Sequence, residues 1–209
     1  MKNRAQKAKQ TLIIENIYPF YAIASFHSFY ARDCQSEIQR LRKRTKGERL
    51  SKKARFEIVE LVGEVRTSSI IAVVFAVTAL EHAIYRYALR RLSHEFFVKH
   101  LDRLSLVAKW LVIPKLVTGK APEESGSAIS SLRELIATRN ELVHAKARVG
   151  DFVSIRAATK MINRSRQQEP TVAKCAANAP KVVERVVRLL EDLDPCEDVG
   201  KIVHDTLQQ

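Results

Sequence analysis

From Ser69 to Leu80 the chain reads S-I-I-A-V-V-F-A-V-T-A-L, with Arg66 before it and Glu81 closing it. Wound as a helix, this segment is apolar on every face, and such a helix must be surrounded by lipid or by other helices. The uncharged run, Thr67 to Leu80, falls well short of the roughly 20 residues a membrane span needs. It is therefore expected to be the central helix of a bundle in a protein with no membrane partner.

The rest of the chain carries the 3.6-residue period of helices and no sustained strand alternation. Leu12 to Leu41 predicts one long helix with a possible kink at Pro19. Ser51 caps a second helix through Leu92, and Ser93 opens a third that stops near Leu111, before Pro114. Gly119 to Gly126 is a linker. A fourth helix starts near Ser127 or Ser130 and ends by Gly150. Phe152 to Asn178 predicts a loop and a short helix, and Lys181 to Leu193 a final amphipathic helix that Pro195 stops. The expected fold is all-α: an antiparallel helical bundle of four main helices with extra N-terminal and C-terminal helices. Residues 1–50 form a basic N-terminal helix and linker, 51–195 the bundle and 196–209 a tail.

Charge narrows the partners. The chain has 36 Lys and Arg against 23 Asp and Glu, a net charge of +13. Arg40, Arg42, Lys43, Arg44, Lys46, Arg49, Lys52, Lys53 and Arg55, with Glu48 the one acid among them, carry +8 of that excess. Such a cluster is either a solvated face or a contact for nucleic-acid phosphates. Six of the 14 aromatics lie between Tyr18 and Tyr30. Ile23, Phe26, Phe29, Tyr30 and Cys34 on adjacent turns read as core or dimer interface in preference to a base-stacking platform. Three distant cysteines, Cys34, Cys175 and Cys196, form no C-x-x-C pair. They argue against a disulfide scaffold and for a reducing cytoplasm. The N-terminus has no signal-like apolar region, since Glu15, Asn16 and Pro19 interrupt it.

Phosphate-binding loops, dinucleotide fingerprints, nucleophile elbows and H-E-x-x-H pairs do not occur. His94 and His100 are six apart, on different helix faces, so neither a metal nor another cofactor is expected. One segment does carry chemistry: L-R-E-L-I-A-T-R-N-E-L-V-H-A-K, Leu132 to Lys146. Asn140 and His144 are i, i+4 on one face. Arg139 and His144 sit roughly 140° apart on an ideal helix, so Arg139 must reach around or the cluster must be completed by a second subunit. His144 can exchange protons near neutral pH, and Arg139 offers a planar, permanently charged fork for phosphate. The plainer alternative is a helix C-terminus whose cations complement its dipole.

The string R-N-x-x-x-H at the end of an apolar helix resembles the HEPN superfamily (higher eukaryote and prokaryote nucleotide-binding domains). Phe75-Ala76-Val77-Thr78-Ala79-Leu80-Glu81 is similar to that family's second bundle helix. Trp110-Leu111-Val112-Ile113-Pro114-Lys115-Leu116 with the loop after it resembles bacterial members. The likeness runs from Ser51 to Leu193. It implies a metal-independent endoribonuclease with a toxin-like or phage-defence role, acting as a homodimer at a shared cleft, with an antitoxin protein as a further partner. Arg139 would stabilise the charge of the phosphorane-like transition state. His144 would be general base or acid, and Asn140 would orient the phosphate or the imidazole. The RNA 2′-hydroxyl would be the nucleophile and a 2′,3′-cyclic phosphate the product.

One position departs from the family pattern. Nucleolytic members resemble one another in an E-x-x-x-K on the second helix, whereas here Glu81 is followed by Tyr85 at that spacing, then Arg86. Glu81 is thus a weaker polar helper. The alternative this leaves open is a catalytically silent dimer that binds nucleic acid, a nucleotide or a partner protein.

Overall fold

The computed structural model describes the backbone of residues 17–44, 51–143 and 155–195, and the side chains of 19–43, 51–143 and 170–195. Among the described residues there are six helices packed together and no strand. In chain order they are α1 (Ile17–Arg44), α2 (Lys52–Arg91), α3 (His94–Phe96), α4 (Leu106–Thr118), α5 (Ser127–Val143) and α6 (Ile155–Leu193).

α2 is the axis of the molecule. Ser51 caps it, its hydroxyl accepting from the Ala54 N–H at 3.1 Å, which satisfies one of the four orphan donors of a helix start. Ala72, Val73, Ala76, Val77, Ala79, Leu80, Ala83 and Ile84 are all buried. A stretch of α2 is long and apolar enough to cross a membrane by length and composition, and 56% of it is buried inside the bundle.

The side-chain pairs fix the direction of each helix. Phe20 stacks on His82 with ring centroids 4.8 Å apart, and His27 meets Ser68 at 3.3 Å. As the number rises on one helix it falls on the other, so α1 is antiparallel to α2. Tyr21 donates to Glu184 at 2.5 Å across 163 residues of sequence, tying α1 to α6 as well. Burial and the Glu184 carboxylate push the Tyr21 phenol up. Arg185 donates to the Ser131 hydroxyl at 3.2 Å, near the start of α5, and Leu142 at its other end shares a groove with Val172. Thus α5 is antiparallel to α6. Tyr87 and Arg91 both bond to Asp194 just past α6, Tyr87 at 3.0 Å and Arg91 through two contacts of 2.9 and 2.8 Å. α2 and α6 therefore run side by side in the same direction, with α1 and α5 each packed on both.

Three details differ from the sequence reading. The third helix is broken: after the Ser93 cap, α3 passes into a single π turn, with the Asp102 N–H bonded to the Phe97 carbonyl at 3.0 Å. The chain then restarts at Ser105, which caps α4. Secondly, Pro114 lies inside α4, which ends instead at Gly119, whose φ of 76° suits a residue without Cβ. Thirdly, of the segment Phe152 to Asn178 read as a loop and a short helix, Phe152 to Ser154 lie outside the described residues and the rest is helix, since α6 is continuous from Ile155 and contains both Pro170 and Pro180. Each proline removes one donor, and burial of Trp110, Ile113, Ala176, Ala179 and Val183 offsets that loss.

α1 is amphipathic in a different phase from the one its aromatics suggest. Tyr21, Ala24, Ser28, Ala31, Cys34 and Ile38 face inward, whereas Phe26 and Phe29 are 63% and 65% exposed. Of the stripe expected to be core or dimer interface, Cys34 is core and the two phenylalanines lie on the outer face, because the small residues are what let α1 approach α2 closely.

Candidate functional site

The C-terminal end of α1 and the N-terminal end of α2 lie at one end of the bundle, while the C-terminal end of α5 and the described start of the α6 side chains meet α2 near its middle, at Ser69 and Ile70. The cations of the basic stretch lie at the α1–α2 end. Arg40, Arg42 and Lys43 come from α1 and Lys52, Lys53 and Arg55 from α2; Glu37 pairs with Arg40 at 3.1 Å, and Glu57 and Glu60 lie on α2. All six cations are exposed. The backbone of Arg44 extends α1; its side chain, and Lys46 and Arg49 altogether, lie outside the described residues.

Arg139 and Asn140 occupy the last turns of α5. Arg139 is half-buried and Asn140 exposed, and the guanidinium donates from Nη1 to Asn140 Oδ1 at 3.1 Å. That bond holds the fork at the helix end through one of its five N–H groups and leaves the Asn140 amide nitrogen outside the pair. His144 lies outside the described residues. Just before Arg139, Thr138 is buried against Cys175 of α6. Burial pushes the Cys175 thiol up, with the Thr138 hydroxyl acting in the opposite sense. A thiol held protonated is a poor nucleophile, so the chemistry available here is that of Arg139 and Asn140.

A groove of about 440 Å³ opens beside this helix end. One wall is the stripe Gln35, Ile38, Gln39 and Arg42 of α1; the facing wall is Val62, Val65, Arg66 and Ser69 of α2, and Leu142 and Val172 close it from α5 and α6. Sequence reasoning missed Gln35, Gln39, Arg66 and Ser69. The available signal was the shared i, i+3, i+4, i+7 spacing of the two stripes, which gains meaning only once α1 is placed against α2.

Glu81 is exposed and is not brought to Arg139. Leu142 lies across the groove from Ser69 and Ile70, which puts Arg139 level with Val73. Glu81 is two turns further along α2, roughly 12 Å by the helical rise. Among the described residues no three His, Cys, Asp or Glu side chains converge as metal ligands would.

No family model matches the chain, and no curated protein or solved structure matches it.

Proposed function

We propose that this protein is a metal-independent endoribonuclease of HEPN type, a toxin-like or phage-defence protein of the cytoplasm. It would cut RNA by attack of the 2′-hydroxyl on the adjacent phosphate. The observation that carries the reading is the Arg139–Asn140 pair at the end of α5, with His144 next but three in sequence and a groove beside that helix end. In this mechanism Arg139 receives the charge that develops on the phosphoryl oxygens. His144 takes the 2′-proton or gives one to the leaving 5′-oxygen, and Asn140 orients the phosphate. Arg40, Arg42, Lys43, Lys52, Lys53 and Arg55 hold the RNA backbone outside the cleft. Exposed Phe26 and Phe29, with Phe26 stacked on Tyr30 at 6.3 Å between centroids, suit a buried contact with a second copy or with an antitoxin.

The test is cleavage of mixed RNA in EDTA. The expected result is fragments ending in 2′,3′-cyclic phosphate, no cutting of DNA of the same sequence, and no product with His144→Ala. Fragments with 3′-hydroxyl ends, or equal cutting by His144→Ala, would overturn the mechanism. The placement of Glu81 away from Arg139 favours a second reading, a silent RNA-binding dimer, for which retention of RNA without cutting is the signature.

Both readings share one prediction about salt. Replacing Lys43, Lys52 and Lys53 together by Gln should lower the slope of log affinity against log salt for single-stranded RNA by about 2, at about 0.7 per phosphate contact. Melting temperature should stay unchanged, since all three are exposed. An unaltered slope would remove this face from the contact.

A further inference from the structure

We propose that the groove between α1 and α2 is a base-reading subsite, taking a single nucleobase of the bound RNA next to the phosphate held by Arg139. The inference rests on the ribonuclease reading for its location and on the groove itself for its chemistry. A volume of about 440 Å³ lies within the range of sites for small organic molecules, about 300–1,000 Å³, and suits one nucleotide.

The lining selects among ligands. Ile38, Val62 and Val65 give aliphatic walls, against which a flat ring loses little by leaving water. Gln35 and Gln39, one turn apart on α1, each present a donor and an acceptor. A carboxylate or a lipid headgroup phosphate accepts only, so half of that capacity would be wasted on it. A nucleobase edge presents both kinds of group, and a glutamine carboxamide can pair with it through two bonds. Ser69 adds an independent sign: it is among the residues that line the groove, it is 1% exposed, and its hydroxyl is buried with no hydrogen-bond partner. A buried hydroxyl in that state is costly unless something in the groove bonds to it. Arg42 and Arg66 stand on the same two stripes. Each has another interaction, and each keeps the positive charge that phosphates flanking the base require. Leu142, one turn past Arg139, is shared between groove and helix end, which joins the two parts of the site.

The test separates the subsite from the ribonuclease. Full-length protein is titrated calorimetrically with AMP, GMP, CMP and UMP at low salt, and its cuts in RNA are mapped in EDTA. One nucleotide should bind at least about fivefold more tightly than the others, the lower end of what a two-bond base contact discriminates. That preference should match the base at the cut site. Gln35→Leu with Gln39→Leu should level the four affinities and scatter the cuts. Ser69→Ala, which removes a single atom, should do so in part and guards against misfolding of the double variant. Equal binding of all four nucleotides, no binding, or a preference that survives the substitutions would overturn the subsite whether or not RNA is cut. Selective binding that the variants abolish, without cleavage of any RNA, would support the subsite and sink the ribonuclease.

Discussion

Arg139→Ala is expected to slow RNA cleavage by about a thousandfold in single turnover, while RNA affinity falls only a few-fold. The size follows from where the charge appears. A phosphate in the ground state carries one negative charge, whereas the transition state of 2′-hydroxyl attack places a second on its oxygens, so a fixed guanidinium binds the second form far better. Removing one preorganised donor to such an oxyanion typically costs about 10²–10³ in rate, and an arginine serving a phosphoryl group costs about 10³–10⁵. Arg139→Lys should recover little of the loss, because an ammonium cannot span two oxygens as the fork does. Asn140→Ala should fall between wild type and Arg139→Ala, since Asn140 Oδ1 is what Arg139 bonds to at 3.1 Å. Asn140 is exposed and Arg139 half-buried, so urea midpoints should change little. A drop in rate below about threefold for Arg139→Ala would sink this assignment.

Trp110→Ala should destabilise the protein by about 3–5 kcal/mol, read as a lower urea midpoint with an unchanged slope. Trp110 is fully buried and is the largest such side chain in the core. It anchors α4, which covers the flank of the bundle between α2, α5 and α6. The cavity left by truncation has no small element free to collapse into it, because Ile113, Phe97 and Leu101 are buried in the same cluster. Trp110→Phe should cost far less. The indole Nε1 is buried with no hydrogen-bond partner, so the smaller ring forfeits packing but also deletes an unpaired donor worth about 1–3 kcal/mol. If Phe proved as damaging as Ala, the indole N–H would have to be making a bond, and the argument from its unpaired state would fail.

Local chemistry was the most readable part of the fold. Ser51 and Ser93 each cap the helix that follows them, because such a cap depends on a hydroxyl within a few residues of its helix end. The prolines misled for the converse reason. Pro114, Pro170 and Pro180 are local breakers whose effect is overridden by partners far away in sequence, so a rule that sees one window ends the helix too early. The candidate site divides along the same line. Arg139 and Asn140 are neighbours in the chain and could be picked out together. The groove takes its facing walls from α1 and α2 and is closed by Leu142 and Val172, a hundred or more residues beyond the α1 stripe, and no reading of either stripe alone distinguishes Gln39 from an ordinary surface glutamine. The aromatics of α1 divide: Tyr21 is buried in the core, whereas Phe26 and Phe29 are exposed while Ala24, Ser28 and Ala31 pack inward.

The bond from Tyr21 to Glu184 has a consequence for biosynthesis. Its two ends are separated by 163 residues, and at roughly 5–20 residues per second a ribosome needs about 8–30 seconds to make that span. Once α2 is complete at Arg91, α1 and α2 can pair as a hairpin, but the side of each that awaits α6 stays wet and apolar. Val172 and Ala173, on the last wall of the groove to be synthesised, arrive in the same final stretch. A nascent chain therefore displays Arg139 well before it owns a complete cleft. For a protein able to cut RNA, this order of emergence would delay activity until the chain is nearly finished, and it would leave the unfinished chain dependent on whatever shields exposed apolar helices at the tunnel exit.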